Sequence, residues 1–425
     1  MDETNHRLFV SEAYNERVLV YNLDADNELI DTTANFVIGQ PDFTSNATAT
    51  TQNGFNLDDG GLVFDDANNR LFVSDESNCR VMVFDTTTIT NGMNASNVIG
   101  QPDFTTGTCS IAASTLEDPE STLSYDAARQ YLFVPQYVSS RVLVFDVNTI
   151  TNGEAAIFVI GQDDFTSSTN DTTATRMKLE YVGSAFDPAT NYLYISDSNN
   201  NRVLVFDTTT ITNGMAASYV LGQTNFTNDT SGLSVNQLDA PEALAIDAVN
   251  KILYVADSDN YRILMFDVSS ITNGEDAVSV IGQADFDSAV AATPSQFTSD
   301  NGEGTGMYFF QTTQKLYVPE QYNNRVLVYG DMHETEEESP ETDDDGSDKS
   351  TEDAAPNSGD ANNDGTLDSE QSTVTGLVNS ATASYSVVAA TTCTANNSVS
   401  SDLKTTDPPR TTTITTTQPD FLTSL

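Results

Sequence analysis

Short apolar runs bounded by polar turns recur along the first 330 residues. One copy reads GLVFD (61–65), RLFVSD (70–75), RVMVFD (80–85) and NVIGQ (97–101). Another reads GSAFD (183–187), YLYISD (192–197), RVLVFD (202–207) and YVLGQ (219–223). Runs of four to six residues rich in Val, Ile, Leu, Phe and Tyr, and bounded by Asp, Asn, Gly and Pro, predict strands and turns. Apolar residues at helical spacing do not occur over a useful length. The third run is apolar without alternation, as in Val203–Phe206. A strand of that kind must be covered on both faces.

The second and third runs form a signature repeated six times, at 7–22, 70–85, 131–146, 192–207, 252–267 and 315–330. Its arginines, Arg17, Arg80, Arg141, Arg202, Arg262 and Arg325, are 63, 61, 61, 60 and 63 residues apart. A fixed period of this size marks a repeat architecture. Six four-stranded antiparallel sheets set radially cover one another's faces, so the pattern predicts an all-β, six-bladed β-propeller over residues 1–331. The stretches Tyr194–Asp207 and Tyr254–Asp267, of the form LYxxDSxNxRVLVFD, resemble the NHL repeat. That resemblance implies the same six-bladed fold. Copies three and six depart from it, with Pro135–Gln136 and Pro319–Glu320 in the turn.

The terminal blades read as incomplete, with 22 strands where six full blades need 24. Asp2 precedes Arg7 as Asp65 precedes Arg70, so the first strand of blade one is missing, as is the fourth of blade six. Both would lie upstream of Met1, and the expectation is a chain that lacks its natural N-terminus and an export signal.

Charge changes the functional picture more than the fold. The chain carries 63 acidic against 16 basic residues, a net −47, with no Trp, two His and three Cys. Nucleic-acid binding rests on Lys and Arg neutralising phosphates, so this field excludes it. Anionic membrane surfaces are disfavoured too, and no run approaches the length of a membrane span. Such acidity suits an exported bacterial surface or secreted protein, or a salt-adapted one. Cys79, Cys109 and Cys393 are scattered and odd in number, which predicts no disulfide framework, and Cys79 reads as a substitution in a turn.

Beyond the repeats the grammar shifts. Residues 332–358 are polar, charged and without aromatics, which predicts a disordered acidic linker. In 359–371, Asp360, Asn362, Asp364, the Thr366 carbonyl and Asp368 fall at loop positions 1, 3, 5, 7 and 9 with Gly365 at 6, the pattern of a calcium loop. Gln371 stands where the bidentate Glu belongs, which predicts weak affinity. Residues 360–393 resemble a calcium-loop segment of bacterial cell-surface anchor-type proteins, and residues 372–425 read as a Thr/Ser-rich tail, partly β or disordered.

Chemistry-bearing constellations are few. Two His, His6 and His333, give no zinc site and no base for a nucleophilic triad. Asp65, Asp126, Asp187 and Asp247 end the first strands alike and read as turn caps. The pairs Asp75/Arg80, Asp197/Arg202 and Asp257/Arg262 read as structural ion pairs of the repeat. Variation concentrates in the loops after each G-Q-x-x-F, on the opposite face from the invariant ITNG turns. The expected function is a non-catalytic scaffold that binds a protein or glycan on that variable loop face. The alternative is a calcium-dependent hydrolase or lactonase with its site on the axis.

Overall fold

The computed structural model describes residues 1–119, 122–290, 306–320, 325–330 and the backbone of 384–389. Among them the chain folds as six antiparallel sheets. Blade one holds β1 (Arg7–Glu12), β2 (Arg17–Asn22) and β3 (Phe36–Ile38). Blade two holds β4 (Leu62–Asp65), β5 (Arg70–Asp75), β6 (Arg80–Asp85) and β7 (Asn97–Ile99). Blade three holds β8 (Ser124–Asp126), β9 (Tyr131–Gln136), β10 (Arg141–Asp146) and β11 (Phe158–Ile160). Blade four holds β12 (Ser184–Asp187), β13 (Tyr192–Asp197), β14 (Arg202–Asp207) and β15 (Tyr219–Leu221). Blade five holds β16 (Pro241–Asp247), β17 (Ile252–Asp257), β18 (Arg262–Asp267) and β19 (Ser279–Ile281). Blade six holds β20 (Tyr308–Phe310), β21 (Lys315–Glu320), β22 (Arg325–Gly330) and β23 (Ser384–Ala389). The protein is an all-β six-bladed propeller.

The run of consecutive apolar residues finds its reason in this stacking. Val203, Leu204, Val205 and Phe206 are all fully buried, because each blade is sandwiched between two others. Six apolar clusters follow the ring, each shared by two neighbouring blades, and the sixth joins Leu8, Leu19 and Val37 of blade one to Phe310, Tyr317 and Val328 of blade six. Ring pairs mark the seams. Phe9 stacks on Phe64, Phe133 on Phe186 and Tyr254 on Phe309, with centroids 5.5, 5.6 and 5.4 Å apart. Phe64 and Phe186 therefore face a neighbouring blade rather than the channel.

Blade one has three strands among the described residues, with Asp2 bridged to Arg7 where the other blades end their inner strand. In blade six the fourth place, which the sequence assigned to residues upstream of Met1, is taken by β23. It runs antiparallel to β22 from Arg325 opposite Ala389 to Gly330 opposite Ser384. An unpaired edge of apolar β22 is a pairing liability, and the Ser-Tyr-Ser-Val-Val-Ala segment has the composition to cover it. The expected acidic linker, 332–358, and the calcium loop, 359–371, lie outside the described residues.

The reading of the cysteines needs correction. Cys79 and Cys109 are bonded, with Cα atoms 5.2 Å apart. Their meeting follows from a bond that blades one to five repeat. The glutamine of each G-Q pair donates from Nε2 to the carbonyl of the turn residue before the arginine and to a carbonyl seven residues on. Gln101 reaches Cys79 (2.8 Å) and Thr108 (3.0 Å), and Gln223 reaches Asn201 and Thr230 (both 2.9 Å). Residue 109 is thereby carried over residue 79.

Candidate functional site

The propeller has two faces built on different logic. On the face of the ITNG turns, each turn is tied to the preceding blade. The Asn91, Asn152, Asn213 and Asn273 side chains accept the backbone N–H of Val37, Val98, Val159 and Val220 in the preceding blade at 3.0–3.1 Å. Gly92, Gly214 and Gly274 donate to the carbonyls of Val37, Val159 and Val220. The Asp caps are engaged there as well. Asp65 binds Arg70 and Asn68, Asp126 binds Arg129, Asp247 binds Asn250, and Asp187 takes Lys251 from blade five at 3.0 Å.

On the opposite face the arginines hold the loops. Asp75 to Arg80, Asp197 to Arg202 and Asp257 to Arg262 close at 2.6, 2.7 and 2.6 Å with all six side chains out of solvent. Each guanidinium also donates to the carbonyl of the phenylalanine in G-Q-x-x-F, Phe104, Phe226 or Phe286, and to further loop carbonyls such as Thr51 and Gly54 for Arg80. Asn78, Asn200 and Asn260 bridge the same aspartates to the loops. Burial pushes these carboxyls up, Asp257 to about 6, against the pull of the arginine. With its donors and acceptors spent on protein partners, this constellation roots the loops and offers no open valence.

The departures in copies three and six keep an acceptor in place. Gln136 takes Arg141 Nε at 3.0 Å, and Glu320 pairs with Arg325. Neutral Gln136 leaves Arg141 without a bonded carboxylate among its described partners. Burial then pulls its pKa down to about 10, with Glu117 acting in the other direction.

The inner strands are less uniform than the sequence suggested. Ser124 and Ser184 Oγ meet at 2.8 Å between blades three and four, and Thr122 Oγ1 donates to Val182 O at 2.7 Å. Blade five differs most. Its inner strand β16 carries a bulge between Pro241 and Leu244. The bulge holds Glu242 within reach of Asp259, Asp59 and Glu180, carboxylates of loop-face turns and loops in three blades, which puts it near the axis on that face. The Glu242 carbonyl sits so close to Gly183 that a Cβ there would lie 1.8 Å from it. The Glu242 side chain is 4% exposed and its Oε1 has no partner. Burial pushes its carboxyl up to about 8; Ser258 favours the ionised form, while Asp259, Asp59 and Glu180 oppose it. Those three carboxylates come from blade five, from blade two across the ring, and from the approach to blade four. The motif reading missed Glu242. The signal was there in Pro241–Glu242, where other blades have Gly or Thr.

More acid surrounds the mouth. The Glu76 carboxylate accepts the N–H groups of Asp58 (2.9 Å), Asp59 and Gly60 (3.1 Å), and burial together with Asp59 drives it well above the usual range. Burial, Asp58 and Glu117 raise Asp118, and burial with Asp259 raises Asp239. Among the described residues no three His, Cys, Asp or Glu side chains stand close enough to hold a metal ion. The calcium set of Asp360, Asn362, Asp364, Thr366 and Asp368 lies outside the described residues.

The sequence matches no protein-family model and no curated protein. Among solved structures, a chain of a nidogen/laminin complex shares 14% identity, covering 76% of this chain and 88% of its own, with a TM-score of 0.44. A chain of a mitotic checkpoint complex shares 12%, covering 77% and 74%, with a TM-score of 0.43. A protein of unknown function from Bacteroides thetaiotaomicron shares 15%, covering 78% and 68%, with a TM-score of 0.46. Likeness at this distance carries no functional argument, and the fold stands on the chain's own sheets. No described helix is long and apolar enough to cross a membrane.

Proposed function

We propose that this NHL-type propeller is a non-catalytic binding scaffold, exported to a bacterial surface or secreted, that takes a protein or glycan partner on its loop face. One observation carries the reading. Loops of unlike sequence, such as 104–115 and 226–237, leave the same Arg and Gln anchors on blades one to five of that face. Variable loops on a rigid frame are how binding surfaces are commonly built. The Cys79–Cys109 bond supports an oxidising, exported setting. Calcium at Asp360–Asp368 belongs to the same proposal, as a weak site that stiffens the tail of an extracellular protein.

A second reading, a calcium-dependent hydrolase or lactonase, draws on Glu242, a buried axial carboxyl raised to about 8. The test uses the full chain on a glycan array and against a displayed peptide library. A genuine partner is lost by Asn46→Lys/Asn170→Lys/Asn228→Lys, three exposed loop-face positions. It is kept by Asn94→Lys/Asp276→Lys on the other face. Loss on the second variant alone would overturn the reading, and hydrolysis of lactone or ester substrates that disappears in Glu242→Gln would favour the enzyme.

A further inference from the structure

The axial mouth holds a group that the binding scaffold does not require. A buried acceptor without a partner costs about 1–3 kcal/mol, more when it is charged, so its retention calls for an explanation. Glu242 is 4% exposed, its Oε1 is unsatisfied, and the bulge in β16 that presents it has no counterpart in the register of β4, β8 or β12. The charged groups acting on it, Asp259, Asp59 and Glu180, are all carboxylates. They converge from turns and loops of blades five, two and four, which places the negative field on the axis.

The geometry points to a site for a single alkylammonium group, the side chain of a lysine on a protein partner, seated against Glu242 at the loop-face mouth. The inference rests on the loop-face reading and names the chemistry of the partner. A divalent cation asks for several oxygen ligands in one shell, and the described residues bring no three such side chains together. A guanidinium favours a carboxylate open to a two-pronged contact, whereas Ser258 already lies beside the Glu242 carboxyl. A compact ammonium needs one good acceptor and a surrounding negative field, and both are present. Because Oε1 is closed to water, uptake requires the Glu242 side chain to turn toward the mouth. Below about pH 8 it also requires release of the carboxyl proton.

The experiment titrates the full chain by calorimetry with the peptide acetyl-Gly-Gly-Lys-Gly-Gly-amide and with its norleucine counterpart, at physiological salt. We expect the lysine peptide alone to bind, more tightly at pH 8 than at pH 6.5, with protons released at pH 6.5. Glu242→Gln should weaken it at least tenfold, whereas Asp103→Asn/Asp164→Asn on the outer rim of the same face should change it less than twofold. Thermal melts check that each variant is folded, and Ser258→Ala gives a second perturbation of the mouth if Glu242→Gln is not. Equal losses in the rim and axial variants would reduce the effect to the general field of the protein and overturn the site. Unchanged binding in folded Glu242→Gln would do the same, as would one-to-one calcium binding lost in that variant with no competition from the peptide. A partner lost by the loop-face lysine variant but indifferent to Glu242→Gln would leave the scaffold reading standing and remove this inference alone.

Discussion

The two faces of this propeller are made by the same repeat and end in opposite states. On the ITNG face each Asn, and Gly92, Gly214 and Gly274, is spent on the preceding blade, so a change of sequence there costs a contact between blades. On the loop face the repeat fixes only the roots, through Arg to the Phe carbonyl and Gln to the turn carbonyl. Beyond those roots the sequence is free. Constancy on one face and variety on the other thus have a single cause, which is where the backbone hydrogen bonds go.

The largest test of that contrast removes a root. Arg202→Ala leaves the Asp197 carboxylate buried and deprives Phe226, Thr173 and Arg176 carbonyls of their donor. Breaking a buried pair in this way costs about 3–5 kcal/mol, read as a lower denaturant midpoint. A loss below about 1 kcal/mol would mean that the loops hold themselves, and the account of the loop face would fail.

Next comes the covalent root, present in blade two alone among the described blades. Cys79→Ser/Cys109→Ser should cost about 2–4 kcal/mol, in line with closing a loop of this size in the unfolded chain. Reduction of the native protein should give the same shift, and no further shift in the double variant. A midpoint insensitive to reductant would show that the two thiols do not pair in solution.

How far the sequence carries can be judged residue by residue. Period, apolar runs and the Asp-to-Arg spacing of five gave the blades and the ion pairs, because strands covered on both faces and hairpin partners leave periodic marks. The Cys79–Cys109 bond was not legible, since it depends on Gln101 folding a loop back over a turn, a contact that leaves no spacing rule. β23 was missed because the grammar of the repeat assigns the fourth strand to a VIGQ motif, and Ser384–Ala389 has none. Glu242 was hidden by counting the inner strand back from Asp247 at the rhythm of the other blades, a rhythm the bulge at Pro241–Leu244 breaks.

The axial carboxyl sharpens the contrast through pH. The folded pKa of Glu242, about 8, lies above its usual 4.5, so the folded state binds the extra proton. Its contribution is complete below about pH 4.5 and is withdrawn as pH rises toward 8. Each unit crossed removes on the order of 1 kcal/mol, which makes roughly 3 kcal/mol between pH 5 and pH 8. Glu242→Gln should therefore flatten the fall in stability across that range, with wild type and variant converging near pH 4.5. Parallel pH profiles for the two proteins would mean that the carboxyl is ordinary and solvated.

The smallest effect separates the faces most directly. Asn213 Oδ1 accepts the Val159 N–H at 3.1 Å across the seam between blades four and three, in a partly buried setting. Asn228, on the loop face, is exposed. Asn213→Ala strands a backbone donor and should cost about 1 kcal/mol, whereas Asn228→Ala should stay within about 0.5 kcal/mol of wild type. Hydrogen exchange locates the cause as well as the size. The Val159 amide should lose protection in Asn213→Ala while the amides of β14 keep theirs, because the seam opens before the blade does. If both alanines cost the same, or if Val159 stays protected, the ITNG turns are not clamps, and their constancy would need a reason outside the seam.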